Sequence, residues 1–129
     1  MTHLTKNWTK KLGIIQASIY EEALDGMLDG LNDLLNARYG DEGQPFGAWQ
    51  RPTVVLKFGS KYCRIENYDI GRDGTLNEYG SVAGFLDIEG NILMAASFRK
   101  PALNGPRGSI FDPDFGMSAF SDTGRVRYK

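Results

Sequence analysis

One long amphipathic segment followed by two apolar hairpin-like segments predicts an α+β fold. In it a four-stranded antiparallel sheet, made of two hairpins, packs against a single long helix and leaves an irregular C-terminal region. Three observations carry this. Apolar residues recur at helical spacing between Ser18 and Arg38, the pattern changes to β-rich runs after Pro52, and glycine-containing turns punctuate those runs at Gly59 and Gly90. At 129 residues, 41% hydrophobic and 12% aromatic, the chain suits one domain over 1–129 with one modest core. Its parts are a helix over 18–38, a sheet over 53–98, and a cationic loop and tail over 99–129.

The helix signals begin at Ser18, whose hydroxyl is placed to cap the first turn while Glu21 reaches back, the capping-box spacing. Tyr20, Leu24, Met27, Leu31 and Leu34 step by four and three, and Leu28 and Leu35 widen the stripe, so one face is built for burial. Gly40 marks the stop. Gly26 and Gly30 lie inside, each costing about 1 kcal/mol relative to alanine. With Ala23 and Ala37 they form a strip of small side chains that suits either a helix contact across a subunit interface or a neighbouring strand or loop. Upstream, the run Leu12 to Ala17 suits a short strand or an extra helical turn. Downstream, Asp41 to Pro52 reads as a loop in which Phe46 and Trp49 pin onto the core, with stacking on a ligand the alternative for Trp49.

Val54, Val55, Leu56 and Phe58 favour a strand, and Gly59-Ser60 forms a two-residue turn. Lys61 to Ile65 then returns with Tyr62 and Arg64 on one face and Cys63 and Ile65 on the other. Asn67 to Gly80 reads as a long polar surface loop, of a length more often functional than accidental. The second hairpin joins Ser81–Asp87 to Asn91–Phe98 through Ile88-Glu89-Gly90.

Net charge is −1, with 15 Lys and Arg against 16 Asp and Glu, which gives no whole-protein case for nucleic acid or membrane binding. The distribution predicts polarity along the chain. Seven acids lie between Ser18 and Glu42, whereas Arg99, Lys100, Arg107, Arg125, Arg127 and Lys129 dominate the C-terminal end. One cysteine and one histidine cannot assemble a Cys/His metal cage within the chain, and no apolar run is long enough for a membrane span. These features predict a soluble protein of a reducing cytoplasm.

Catalytic chemistry is thinly supplied. His3 sits near a terminus expected to fray, Cys63 alternates within a strand as a buried structural thiol, and no nucleophile and base pair is visible. Asp25, Asp29 and Asp33 line one helix face, where a solvated surface is favoured over a cation site. Asp69, Asp73 and Glu78 lack the alternation of a calcium loop, and no GxGxxG or GxxxxGK[ST] string is present. No catalytic residue, metal ligand or cofactor is therefore expected.

The basic loop offers the strongest candidates. Arg99 and Lys100 follow a strand and point to opposite faces, so at most one lies over the sheet. Arg107, between Pro106 and Gly108, presents a guanidinium that suits two parallel hydrogen bonds to phosphate, or else a salt bridge to Asp112 or Asp114 that staples the loop.

The run Ala95-Ala96-Ser97-Phe98-Arg99-Lys100-Pro101-Ala102, followed by Arg107-Gly108-Ser109-Ile110, resembles short proteins of tailed bacteriophages. Among these are the Thoeris anti-defence proteins of the first type, which sequester cyclic nucleotide signals without degrading them. The similar stretch runs from Thr53 to Met117. Phe98 stands where tryptophan is commoner, and Arg99-Lys100 where lysine and a small residue are usual. The resemblance implies ligand pockets at subunit boundaries, with arginine on phosphate and aromatic or amide side chains around base or ribose. It assigns Arg107 and Gly108 to the arginine-glycine step, Phe85 to the hairpin phenylalanine and Asn91 to the amide, with Arg99 and Lys100 as further ligand contacts. It also implies a homo-oligomer, a dimer or larger with a hexamer among the options, acting in the infected bacterial cytoplasm.

The expected function is thus a non-enzymatic sponge for a cyclic ADP-ribose isomer or a cyclic oligonucleotide. The first alternative is a nucleic-acid-binding accessory protein using Arg125, Arg127, Tyr128 and Lys129, against which the short mixed-charge tail argues. The second is an inhibitor whose acidic helix imitates the phosphates of DNA toward a host enzyme.

Overall fold

The computed structural model describes residues 3–39, 52–68, 80–121 and 123–127. The readings placed on Phe46, Trp49, Gly40 and the Asp69 to Glu78 stretch lie outside these residues. Thr5 opens a first helix, α1 (Lys6–Leu12), by accepting the Trp8 backbone N–H on its hydroxyl at 3.3 Å. Gly13, at φ +84°, ends α1 in a conformation that side chains resist, and α2 (Ile14–Tyr39) starts at once. The helix therefore begins four residues before the expected cap, and Ser18 lies exposed inside it. Ile14 and Ile15 are almost fully exposed, so the burial pattern from which a start is read does not extend to the true one.

The expected stripe is buried at Tyr20, Leu24, Met27, Leu31 and Leu35, with Ala17 and Ala23 beside it, while Leu28 and Leu34 are half-buried. Gly26 and Gly30 are filled from within the chain. A Cβ on Gly26 would lie 2.4 Å from the Phe115 ring, and one on Gly30 would lie 2.4 Å from the Met117 sulfur. The small strip accommodates the C-terminal loop, which removes it as an argument for a subunit interface.

The sheet is a meander in which each strand pairs antiparallel with its chain neighbour: β1 (Thr53–Phe58), β2 (Tyr62–Tyr68), β3 (Ser81–Asp87), β4 (Asn91–Leu93) and β5 (Gly108–Ser109). Five strands stand where four were expected. β4 stops at Leu93 instead of Phe98, because Ala96 and Ser97 donate their N–H groups to the Lys100 carbonyl and fold the chain back, so that Ala95 bridges Pro101. The first hairpin turn is also displaced. The Gly59 N–H donates to the Tyr62 carbonyl at 2.8 Å, which makes Ser60-Lys61 the turn pair instead of Gly59-Ser60. The second turn is as expected: Gly90 takes φ +84°, and the Asp87 carboxylate accepts the N–H groups of Glu89 and Asn91.

Cys63, Ile65, Leu86 and Ile92 close the core against Tyr20, Leu24, Met27 and Leu31. Burial pushes the Cys63 thiol well above its ordinary pKa, so it stays protonated and inert. His3 is held, contrary to expectation. Its N–H donates to the Glu21 carboxylate at 2.7 Å and its ring Nε2 pairs with Asp25 at 2.7 Å, tying the start of the described chain to α2.

Candidate functional site

Alternation along the strands sends Cys63 and Ile65 toward α2 and their neighbours Tyr62, Arg64 and Glu66 to the opposite face. Register then builds a row across that face. Lys57 of β1 stands directly opposite Arg64 of β2, Arg64 opposite Phe85 of β3, and Phe85 opposite Leu93 of β4. The folded-back 96–100 turn leans over the row and sets the Phe98 ring 4.4 Å from the Arg64 guanidinium carbon.

Between this turn and the Ser60-Lys61 turn lies an open cleft of about 270 Å³. It gathers four cations, Lys57, Lys61, Arg64 and Arg99, around the rings of Tyr62 and Phe85. The two rings meet edge to face at 6.3 Å, and the Lys61 ammonium lies 5.5 Å from the Tyr62 ring. The acid that answers these charges is Glu66, 1% exposed, which accepts from Arg64 Nε and from the Tyr68 hydroxyl, both at 2.5 Å. The bond to Glu66 raises the Tyr68 pKa, so the phenol keeps the proton it donates.

Two sequence-predicted ligand residues, Phe85 and Arg99, meet in this cleft, and four do not. Lys100 is exposed and does not line the cleft. Asn91 spends its amide on the Asp87 carboxylate at 3.0 Å, within the β3–β4 turn. Gly108 pairs with Ile92, where a Cβ would come 3.2 Å from the Ala119 side chain. Arg107 donates to the Gly105 carbonyl at 2.6 Å, the Arg127 carbonyl at 3.3 Å and the Asn104 side-chain oxygen at 3.2 Å.

The alternative salt bridge from Arg107 to Asp112 or Asp114 is not formed. Asp112 accepts from the Ser109 N–H, and Asp114 accepts from those of Ser118 and Gly116, contacts that lower its pKa. Arg107 instead fastens loop carbonyls. Arg107→Ala is expected to lower stability by about 1 to 3 kcal/mol in urea unfolding, with binding at the cleft unchanged in the folded fraction.

Lys57, Lys61, Tyr62 and Arg64 are cleft residues that sequence reasoning did not single out as ligand contacts. Placing Tyr62 and Arg64 on one face was the available signal, but the partners of that face depend on the turn phase. A second cleft, of about 390 Å³, lies beside the C-terminal segment and includes Arg125 and Arg127. Arg127 already donates Nε to the Phe120 carbonyl at 2.8 Å. Among the described residues no three His, Cys, Asp or Glu side chains group as metal ligands, and no helix is long and apolar enough to cross a membrane. Compared with models of known families, with curated proteins and with solved structures, the chain matches none.

Proposed function

We propose that the protein binds a cyclic nucleotide immune signal, a cyclic ADP-ribose isomer or a cyclic oligonucleotide, and holds it without cleaving it. The observation that carries this is the cation-lined, aromatic-floored cleft on the sheet face turned away from α2. Like charges directly opposite across two strands are unfavourable, so the Lys57 and Arg64 pair detracts from the free fold and favours an anion lying between them. Rings beside cations suit a base beside a phosphate. The bacteriophage setting and the identity of the signal rest on the resemblance of the Ala95–Ala102 and Arg107–Ile110 runs.

The cleft volume lies below the roughly 300 to 1,000 Å³ of pockets that enclose a whole small ligand. In this reading one copy grips a phosphate and one ring, and a second copy covers the remainder. Exposed Ile14, Ile15 and Ile19 on α2, with Phe111 and Phe115, supply apolar surface for such an assembly.

Native mass spectrometry of the full chain, mixed with cyclic ADP-ribose isomers, cyclic dinucleotides and cyclic trinucleotides, tests this. A bound ligand of unchanged mass, released intact on heating, is the expected result. Recovery of hydrolysed ligand would make the protein an enzyme, and binding only to a single-stranded oligonucleotide would favour the nucleic-acid reading.

A further inference from the structure

The Arg64 guanidinium is constrained on two sides. Glu66, which is buried, accepts from Nε, and the guanidinium carbon lies over the Phe98 ring, 4.4 Å from its centre. A guanidinium has two edges able to grip an oxyanion with paired N–H groups, one that includes Nε and one formed by the two terminal nitrogens. Glu66 occupies the first. Among the described residues neither terminal nitrogen of Arg64 has a hydrogen-bond partner, although Arg64 lines the cleft beside Lys57, Lys61 and Arg99.

We propose that Arg64 is the fork that takes the ligand's phosphate, in a phosphodiester or pyrophosphate group, through its two terminal nitrogens, and that Glu66 and Tyr68 are positioning residues that aim it. This rests on the nucleotide-holding reading and assigns its phosphate contact to Arg64 in place of Arg107, whose donors already serve loop oxygens. Tyr68 anchors the far oxygen of Glu66, so the carboxylate cannot swing away from Arg64. The arrangement makes a prediction that opposes simple charge counting. Glu66→Gln raises the positive charge of the cleft, yet it weakens binding because a neutral amide oxygen holds Arg64 Nε less firmly than the carboxylate does.

Isothermal titration calorimetry on the full chain, with sodium pyrophosphate and with the cyclic dinucleotide and cyclic ADP-ribose panel as probes, tests this in wild type, Arg64→Lys, Glu66→Gln and Tyr68→Phe. Arg64→Lys keeps the charge but loses the planar fork that gives Nε to Glu66 and a paired edge to a phosphate, so affinity is expected to fall about tenfold or more. Glu66→Gln and Tyr68→Phe are each expected to weaken binding severalfold. Tyr68→Phe keeps the ring and serves if Glu66→Gln fails to fold.

If wild type binds a nucleotide and Arg64→Lys binds it within twofold, the fork assignment is overturned while the nucleotide reading stands. If wild type binds pyrophosphate but no nucleotide, loss of that binding in Arg64→Lys sustains the fork and removes the nucleotide reading. No binding of either probe by wild type overturns both. Tighter binding by Glu66→Gln overturns the positioning role and leaves net charge as the determinant.

Discussion

Trp8→Ala is expected to lower stability by about 3 to 5 kcal/mol and the melting temperature by on the order of 10 °C or more. Trp8 is fully buried, the largest side chain that α1 contributes to the core. Its ring meets Phe58 edge to face at 5.0 Å and Tyr20 at 5.9 Å, so truncation opens a cavity walled by both layers. The indole N–H also donates to the Gly59 carbonyl at 2.7 Å, which the substitution leaves without that donor. Gly59 begins the turn that carries Lys61 into the cleft, so the loss reaches the site as well as the core. Thermal unfolding followed by near-ultraviolet circular dichroism measures the effect. A shift of only a few degrees would show that α1 is peripheral to the fold.

Lys57→Glu is expected to separate stability from binding. In the free protein the substitution replaces a like-charge pair directly opposite Arg64 by an opposite-charge pair, which stabilises by up to about 1 kcal/mol. The same carboxylate competes with a ligand phosphate for Arg64 and repels it. Affinity for the cognate nucleotide is expected to fall about a hundredfold or more, in a protein that melts no lower than wild type. Calorimetry and melting curves on one preparation settle it, and undiminished affinity would remove the cleft as the site. Wild-type binding is expected to weaken with added salt, since the four cations border an open cleft.

The helix stripe, the Asp87 to Gly90 turn and the buried Cys63 were legible because each depends on local spacing or on alternation within one strand. α1 was not. Lys6–Leu12 has too few apolar residues for a periodicity, and what holds it is Trp8 inserted against residues some fifty positions away. β5 is Gly108-Ser109, two residues without strand preference, extended only because they pair with Ile92 and Asn91. The candidate site turned on a single phase. A turn at Gly59-Ser60 sets Lys57 opposite Tyr62, whereas the actual turn at Ser60-Lys61 sets it opposite Arg64. Both registers keep Lys57 on the same face, so composition and alternation cannot tell them apart, yet only one creates the paired cations. Arg107 misled for a related reason. Its neighbours suggested an open guanidinium, and the oxygens that occupy it come from Gly105 beside it and from Arg127, twenty residues on.

The strand order bears on how the chain reaches its native state. Two of the four strand connections in the meander are tight turns, at Ser60-Lys61 and at Ile88 to Gly90, so those two hairpins close with little loop-closure entropy. The helical layer bonds to both of these turns: Trp8 to Gly59 in the first, and the Tyr20 hydroxyl to the Asp87 carbonyl where the second begins. The helical layer is thus fastened to both turns, which couples the core to the register that sets Lys57 opposite Arg64.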